Sequence, residues 1–294
     1  MGDFELFSYV NGQPASALSI ADRGLAYGDG LFETMRLEGG RIPLWPLHFD
    51  RLSQSCTRLR IPLDTNRLQR ELDGLLEEAS ARSITKGVLK LIVTRGAGGR
   101  GYCGGSDLSP NHVISLSPLP SFPLEFLEEG VRVYLCRHRL PDNPLLAGIK
   151  HLNKLDYVMA CQEWSEGDFQ EGLLLNRAGQ LVEACSRNVF VVRGGMLFTP
   201  HLEAAGVAGV LRRRIMENYA AEVGVSIEES CIDFEFLSGA DEVFLTNSVT
   251  GVWPVRTLIG EEEGELNFTS MAIAQRMQQL FAADLDEGAG VHDA

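Results

Sequence analysis

The stretch Leu146-Ala147-Gly148-Ile149-Lys150-His151-Leu152-Asn153-Lys154-Leu155-Asp156-Tyr157 decides how the chain reads. Lys150 stands between Ile149 and a His151-Leu152-Asn153 turn, with Ala147 and Gly148 behind it. Such neighbours offer no solvated face. Burial strips an ammonium of its hydration and favours the neutral amine. A neutral amine is a nucleophile, and its natural targets are carbonyls. Taken alone, a lysine so placed reads as one whose stem crosses an apolar patch while its charge stays in water. The rest of the chain changes that reading.

Length and composition set the frame. The chain has 294 residues, 45% of them hydrophobic, which is enough for two domains with cores of their own. A net charge of −14 and a pI near 4.9 argue against nucleic acid or an anionic membrane surface as partner. The opening Met1-Gly2-Asp3-Phe4-Glu5 has neither the basic nor the apolar region of a signal peptide. No apolar run reaches the roughly 18 residues of a membrane span. The six cysteines, at 56, 103, 136, 161, 185 and 231, form no C-x-x-C pair. They read as reduced thiols of a cytoplasmic protein, with neither a metal site nor a disulfide framework.

Along the chain, residues 4–10 predict a strand turning at Asn11-Gly12. The glycines at 24, 28 and 30 punctuate a loop that reaches a strand over 31–37, and a loop of this kind can line a pocket. Tyr27 lies in it. Pro46 starts a helix with Phe49, Leu52, Cys56 and Leu59 on its stripe and Arg51 off it. An arginine off the stripe is either solvated or a fork for a phosphate. Asp64-Thr65 opens a second amphipathic helix through Leu68, Leu72, Leu75 and Ala79. A strand over 88–94 runs into Arg95-Gly96-Ala97-Gly98-Gly99-Arg100-Gly101-Tyr102. The glycines fit G-x-G-x-x-G, but Cys103-Gly104-Gly105 and Pro110 follow where a dinucleotide site needs a helix. The segment reads instead as a loop presenting Arg100 and Tyr102 to a carboxylate.

After a strand over 112–117, Pro118, Pro120 and Pro123 mark a linker. The expected domains are 1–117 and 125–283, joined by 118–124, with 284–294 a disordered tail. The second domain predicts a strand over 131–137, the Lys150 stretch, a helix over 153–164, and a β-meander over 172–199 that carries Glu183. A carboxylate on the buried face of a meander needs a partner. Gly206–Val210 opens a helix to about 223, whose free amides and dipole suit an anion. Thr246-Asn247-Ser248 stand at a strand end, where they hold a phosphate or make a turn. A final helix is expected over 270–281.

These parts are those that pyridoxal phosphate requires: a lysine for the aldehyde, an anion for the ring nitrogen and donors for the phosphate. The chain resembles the fold-type IV pyridoxal-phosphate enzymes, the group of branched-chain and D-amino-acid aminotransferases and 4-amino-4-deoxychorismate lyases. The resemblance is carried by Asp22-Arg23-Gly24, Tyr27–Thr34, His48–Leu52, Gly148–Asn153, Glu183–Phe190 and Gly206–Val210, in family order. It implies a two-domain α/β (α+β) fold with the cofactor in the interdomain cleft. It makes Lys150 the lysine that carries the aldehyde, Glu183 the partner of the ring nitrogen and Arg51 a phosphate ligand. Gly209, Val210, Thr246 and Asn247 complete the phosphate cup.

Within the group, Thr94–Tyr102 and Asn143–Asp156 resemble the aminodeoxychorismate lyases most. That implies conversion of 4-amino-4-deoxychorismate to p-aminobenzoate and pyruvate, a step of folate synthesis, with Lys150 acting as base and then acid. Arg100, Tyr102 and Tyr27 become candidates for the substrate and Thr34 for proton delivery. Phe32-Glu33-Thr34 also fits the transaminating members, so a D-amino-acid or branched-chain aminotransferase is the alternative. A non-catalytic binding protein would be expected to lack the lysine or its acidic partner, and both are present. The resemblance further implies a homodimer; the cytoplasmic location and the lack of a metal site are the expectations read from the cysteines above.

Overall fold

The structure, a computed structural model, describes residues 6–98, 101–103 and 109–286. The chain divides into two compact units. The first runs to Ser121 and takes in Lys150–Asn153 and the residues from Asp284. The second comprises Phe122–Ile149 and Lys154–Ala283. Both mix helix and sheet.

In the first unit, β1 (Phe7–Val10) turns through Asn11 and Gly12, both at positive φ, into β2 (Gln13–Pro14). α1 (Arg23–Tyr27) follows, then β3 (Gly30–Leu37), α2 (Trp45–Leu59), α3 (Thr65–Ala81), β4 (Gly87–Thr94) and β5 (Asn111–Ser117). Among the described residues the strands form one antiparallel sheet in the order β2-β1-β5-β4-β3. Alternation along β3 buries Leu31, Glu33, Met35 and Leu37 and turns Phe32, Thr34 and Arg36 the other way. Leu52 and Cys56 of α2 and Leu68, Leu72, Leu75 and Ala79 of α3 are buried. Asp64 caps α3 by accepting from the Arg67 amide. Two expectations are corrected here. The glycine-punctuated loop contains the short helix α1, capped by Asp22 and ended by Gly28 in the left-handed region. The inward stripe of α2 carries His48 and Ser55 where Phe49 was expected.

In the second unit come α4 (Glu125–Glu128), β6 (Val131–Leu140), α5 (Leu155–Ala160), β7 (Glu171–Asn176), β8 (Leu181–Ala184), β9 (Asn188–Arg193) and β10 (Met196–Pro200). α6 (Val210–Arg214), a π turn (Ile215–Tyr219) and α7 (Ala220–Glu222) make one helical run. β11 (Ile227–Ser230), α8 (Phe234–Ser238), β12 (Glu242–Asn247), β13 (Gly251–Gly260), β14 (Gly264–Asn267) and α9 (Ala272–Asp286), up to its Ala283, complete it. The mixed sheet runs β11-β10-β9-β12-β13-β6-β7-β8, with β14 on β13. Its core includes Val133, Leu173, Val189, Val191, Val243, Leu245 and Val255.

The expected meander is broken. β7 pairs with β8 and β9 with β10, but β9 takes β12 as its other neighbour, and β8 ends the sheet. The turn closed by the Ala184 amide on the Arg187 carbonyl sends the chain into a different part of the sheet. Glu183 and Asn188 flank that turn. The last helix also differs from expectation: α9 reaches Asp286, into the stretch read as a tail. No helix among the described residues is long and apolar enough to cross a membrane.

Candidate active site

In the first unit the Lys150 segment lies alongside the start of β3 as a short added strand. The Phe32 amide donates to the Lys150 carbonyl at 3.0 Å, and the Leu152 amide to the Gly30 carbonyl at 3.0 Å. Asn153 Nδ2 donates to the Gly28 carbonyl at 3.0 Å. Gly28 and Gly30 owe their place to this approach, since a Cβ on Gly28 would meet Asn153 Oδ1 at 2.7 Å. A Cβ on Gly30 would meet Leu152 Cδ1 at 2.8 Å and the Val93 carbonyl at 2.6 Å. The half-buried Lys150 sets its Nζ 4.3 Å from the centre of the Phe32 ring.

Glu33 faces the core from the same strand and is almost wholly buried. A lone carboxylate there would be costly. Arg51 Nε donates to Oε1 at 2.8 Å and Arg51 Nη2 to Oε2, while His48 Nδ1 lies 2.7 Å from Oε2. Burial pushes the Glu33 carboxyl up, but the Arg51 charge and the His48 hydrogen bond outweigh it and hold its pKa at about 2. Burial holds His48 below its ordinary value despite Glu33. The neutral ring then donates from Nδ1, and its buried Nε2 has no hydrogen-bond partner. Arg51 is thus fixed by Glu33, a link with no counterpart in the sequence reading. Period-2 alternation could have found it, since it puts Glu33 with Leu31 and Met35 on the inward face.

Thr34 is half-buried on the face of Phe32, away from Glu33. Tyr27 ends α1 and meets Tyr102 edge-on at 5.5 Å. Tyr102 is 86% exposed, and its carbonyl accepts from Arg23 Nη2 at 2.8 Å. Arg100 lies outside the described residues. No helix follows the G-x-G-x-x-G glycines at 101–103.

The second unit places Glu183 at the end of β8, 3% exposed. Its Oε1 accepts from the Tyr157 hydroxyl at 2.5 Å. Its Oε2 accepts from Asn188 Nδ2 at 3.1 Å and from the Val207 amide at 3.0 Å. Burial first, then the charge of Glu183, push the Tyr157 phenol far above its ordinary range, so it stays a donor. Asn188 Nδ2 also donates to the Val207 carbonyl at 2.8 Å. A Cβ on Gly209, the N-cap of this helix, would sit 1.9 Å from Asn188 Oδ1, so any side chain there must displace the Asn188 carboxamide. The Gly148 amide donates to the Gly206 carbonyl and the Ala208 amide to the Gly148 carbonyl, which joins the Gly148 turn to this one within the second unit. Across the sheet Asn188 pairs with Thr246. The Thr246 hydroxyl is buried and has no hydrogen-bond partner. The Asn247 carboxamide is committed to its turn, accepting from the amides of Val249 and Thr250.

The second unit therefore brings Glu183, Gly209, Val210, Thr246 and Asn247 to one end of the sheet, and the first holds Lys150, Arg51 and Thr34. Tyr157, Asn188 and Val207, which hold Glu183, were not singled out from sequence. Tyr157 closes the opening stretch, yet nothing in its spacing marks it. The arrangement fits pyridoxal phosphate on its own terms. A buried hydroxyl without a partner and a glycine N-cap suit a phosphate, and a buried carboxylate held by neutral donors suits a protonated ring nitrogen.

Comparison with known proteins places the chain in a family. The family model described as amino-transferase class IV matches residues 30–258. An aminodeoxychorismate lyase of Vibrio harveyi is 34% identical over 272 residues, 92% of this chain and 97% of its own. A putative branched-chain-amino-acid aminotransferase of Methanocaldococcus jannaschii is 30% identical over 268 residues, 88% of this chain and 91% of its own. The crystal structure of 4-amino-4-deoxychorismate lyase from Pseudomonas aeruginosa superposes with a TM-score of 0.86 at 43% identity, covering 95% of this chain and 99% of that one.

Proposed function

The chain belongs to the class IV amino-transferase family, and from that premise we propose that it is a pyridoxal-phosphate-dependent lyase converting 4-amino-4-deoxychorismate to p-aminobenzoate and pyruvate. The observation that carries the cofactor reading is the second unit's cluster, where the Glu183 carboxylate is fixed by Tyr157, Asn188 and Val207 and the Thr246 hydroxyl lacks a partner across from Asn188. The choice of lyase is supported by the likeness to lyases along nearly the whole chain.

Bound, the cofactor supplies an aldehyde for the substrate amine and a ring that accepts the electron pair of a broken C–H bond. The rest falls to this chain's residues. Lys150 would hold the cofactor through its Nζ, and the substrate amine would compete for the same carbonyl and leave Nζ free. Its free Nζ then takes the proton from the substrate carbon bearing nitrogen and returns one to the departing enolpyruvyl group, so no net proton is consumed. Glu183 holds the proton of the ring nitrogen. Arg51, the Val210 amide at Gly209, Thr246 and the Asn247 turn bind the phosphate. Thr34 is assigned to proton delivery, and Tyr27, Arg100 and Tyr102 to the substrate. Loss of the enolpyruvyl group makes the substrate ring aromatic, which makes the reaction effectively one-way.

An amino-transfer activity is the second reading, favoured by the 30% identity to the archaeal aminotransferase. We place the enzyme in the cytoplasm as a homodimer. Leu155, Val158 and Met159 on the outer side of α5 are 73%, 50% and 50% exposed, an apolar stripe suited to a second copy. Sedimentation tests that assembly. The cofactor is tested by absorbance. Protein given pyridoxal phosphate should show a band at roughly 410–420 nm that borohydride abolishes. A protein with no such band contradicts both enzymatic readings.

A further inference from the structure

We infer that Tyr157 is a positioning residue whose hydrogen bond to Glu183 sets how firmly that carboxylate holds the proton on the cofactor's ring nitrogen, and so biases the enzyme toward elimination over amino transfer. The inference rests on the function proposed above. It starts from three donors to Glu183. Two belong to rigid scaffolding: the Val207 amide is backbone, and Asn188 is locked between Glu183, the Val207 carbonyl and Gly209. The third is a phenol, a side-chain hydroxyl that a single substitution can remove. It lies 2.5 Å from Oε1, a length typical of a hydroxyl bound to a charged oxygen.

The phenol is also held in place. Tyr157 packs against the buried cluster that includes Tyr134, Cys136, Ala160 and Val182. Lys154 Nζ stands 4.3 Å from the ring centre. A pre-set donor does not reorganise when charge shifts on the carboxylate. Each donor on a carboxylate stabilises its charge and weakens its pull on a proton held elsewhere. A weaker pull leaves more of the electron pair on the substrate carbon, beside the C–O bond that must break. A stronger pull draws the pair into the ring, where reprotonation at the cofactor's own carbon gives amino transfer.

The test uses full-length protein loaded with pyridoxal phosphate carrying 15N in its ring. Tyr157→Phe keeps the packed ring and removes the hydroxyl. The 15N resonance should move toward the protonated form, and the ratio of amino transfer to elimination should rise on the order of tenfold. Incorporating 3,5-difluorotyrosine at position 157 strengthens the donor and should move the resonance the opposite way. A purely structural Tyr157 would lower cofactor affinity in Tyr157→Phe and leave the resonance unchanged in both variants, which overturns the inference alone. A wild-type protein that takes up no pyridoxal phosphate overturns the proposed function and this inference with it.

Discussion

Arg51 grips Glu33 with both prongs of its guanidinium, Nε to Oε1 at 2.8 Å and Nη2 to Oε2, inside the first unit. The ion pair orients the arginine assigned to the phosphate and gives the core carboxylate its counter-charge. His48 completes it from the same helix. Such a cluster makes stability depend on pH in a direction that can be worked out.

Both partners lose stability toward acid. Below 6.5 the unfolded chain takes up a proton that buried His48 refuses, so stability falls as pH drops from 6.5 toward the lower folded value. Glu33 is depressed from 4.5 to about 2, so its contribution is complete above 4.5 and lost between 4.5 and about 2. That contribution is about 3 kcal/mol. Denaturation followed from pH 7.5 to 4 should show a declining limb that is flatter in His48→Gln. An identical slope in both proteins would show that His48 does not titrate with folding.

Thr246→Val replaces a buried, unpartnered hydroxyl by a methyl of the same shape. The apo-protein should unfold at the same temperature or slightly higher. Affinity for pyridoxal phosphate should fall about 10-fold to 100-fold, the worth of a hydrogen bond to a charged group. Calorimetry and equilibrium dialysis read the two effects separately. A loss of apo stability with no loss of affinity would place the hydroxyl outside the phosphate cup.

Gly209→Ala acts at a distance from the carboxylate. Its Cβ would lie 1.9 Å from Asn188 Oδ1, so the carboxamide must move and Glu183 loses a donor. Cofactor affinity should drop at least about 10-fold. Asn188→Gly, which opens the space, should recover part of the binding lost through the clash when combined with Gly209→Ala. Failure of the pair to couple would refute the link.

Lys150→Ala should abolish turnover and borohydride-stable labelling while the protein stays folded. Its side chain is half-buried, and hydrogen bonds through backbone atoms and Asn153 hold its segment. Circular dichroism and mass spectrometry after reduction check both halves. Labelling that persists elsewhere would assign the amine to another lysine.

What could be read before the structure was local. The stripes of α2 and α3, the Asp64 cap, the turn at Asn11-Gly12 and the glycines before α6 each follow from spacing or dihedral preference over a few residues. The family pattern pointed to Lys150, Glu183 and Arg51 as one set. What stayed hidden depends on contacts distant in sequence. Nothing near Tyr157 announces Glu183, twenty-six positions on. β8 and β9 look like consecutive meander strands, because a hairpin turn and a turn that leaves the ladder differ only in which neighbours the strands find. Glu33 was legible in principle, since alternation puts it inward, but the strand's other face, with Thr34, drew the reading.

The central claim is the reaction. Purified, cofactor-loaded protein should be given 4-amino-4-deoxychorismate, with p-aminobenzoate followed by its fluorescence and pyruvate by a coupled dehydrogenase. A parallel sample should receive branched-chain or D-amino acids with 2-oxoglutarate or pyruvate. The account predicts equal amounts of p-aminobenzoate and pyruvate, lost in Lys150→Ala, with amino transfer slower. Amino transfer without p-aminobenzoate would contradict it and make the chain an aminotransferase.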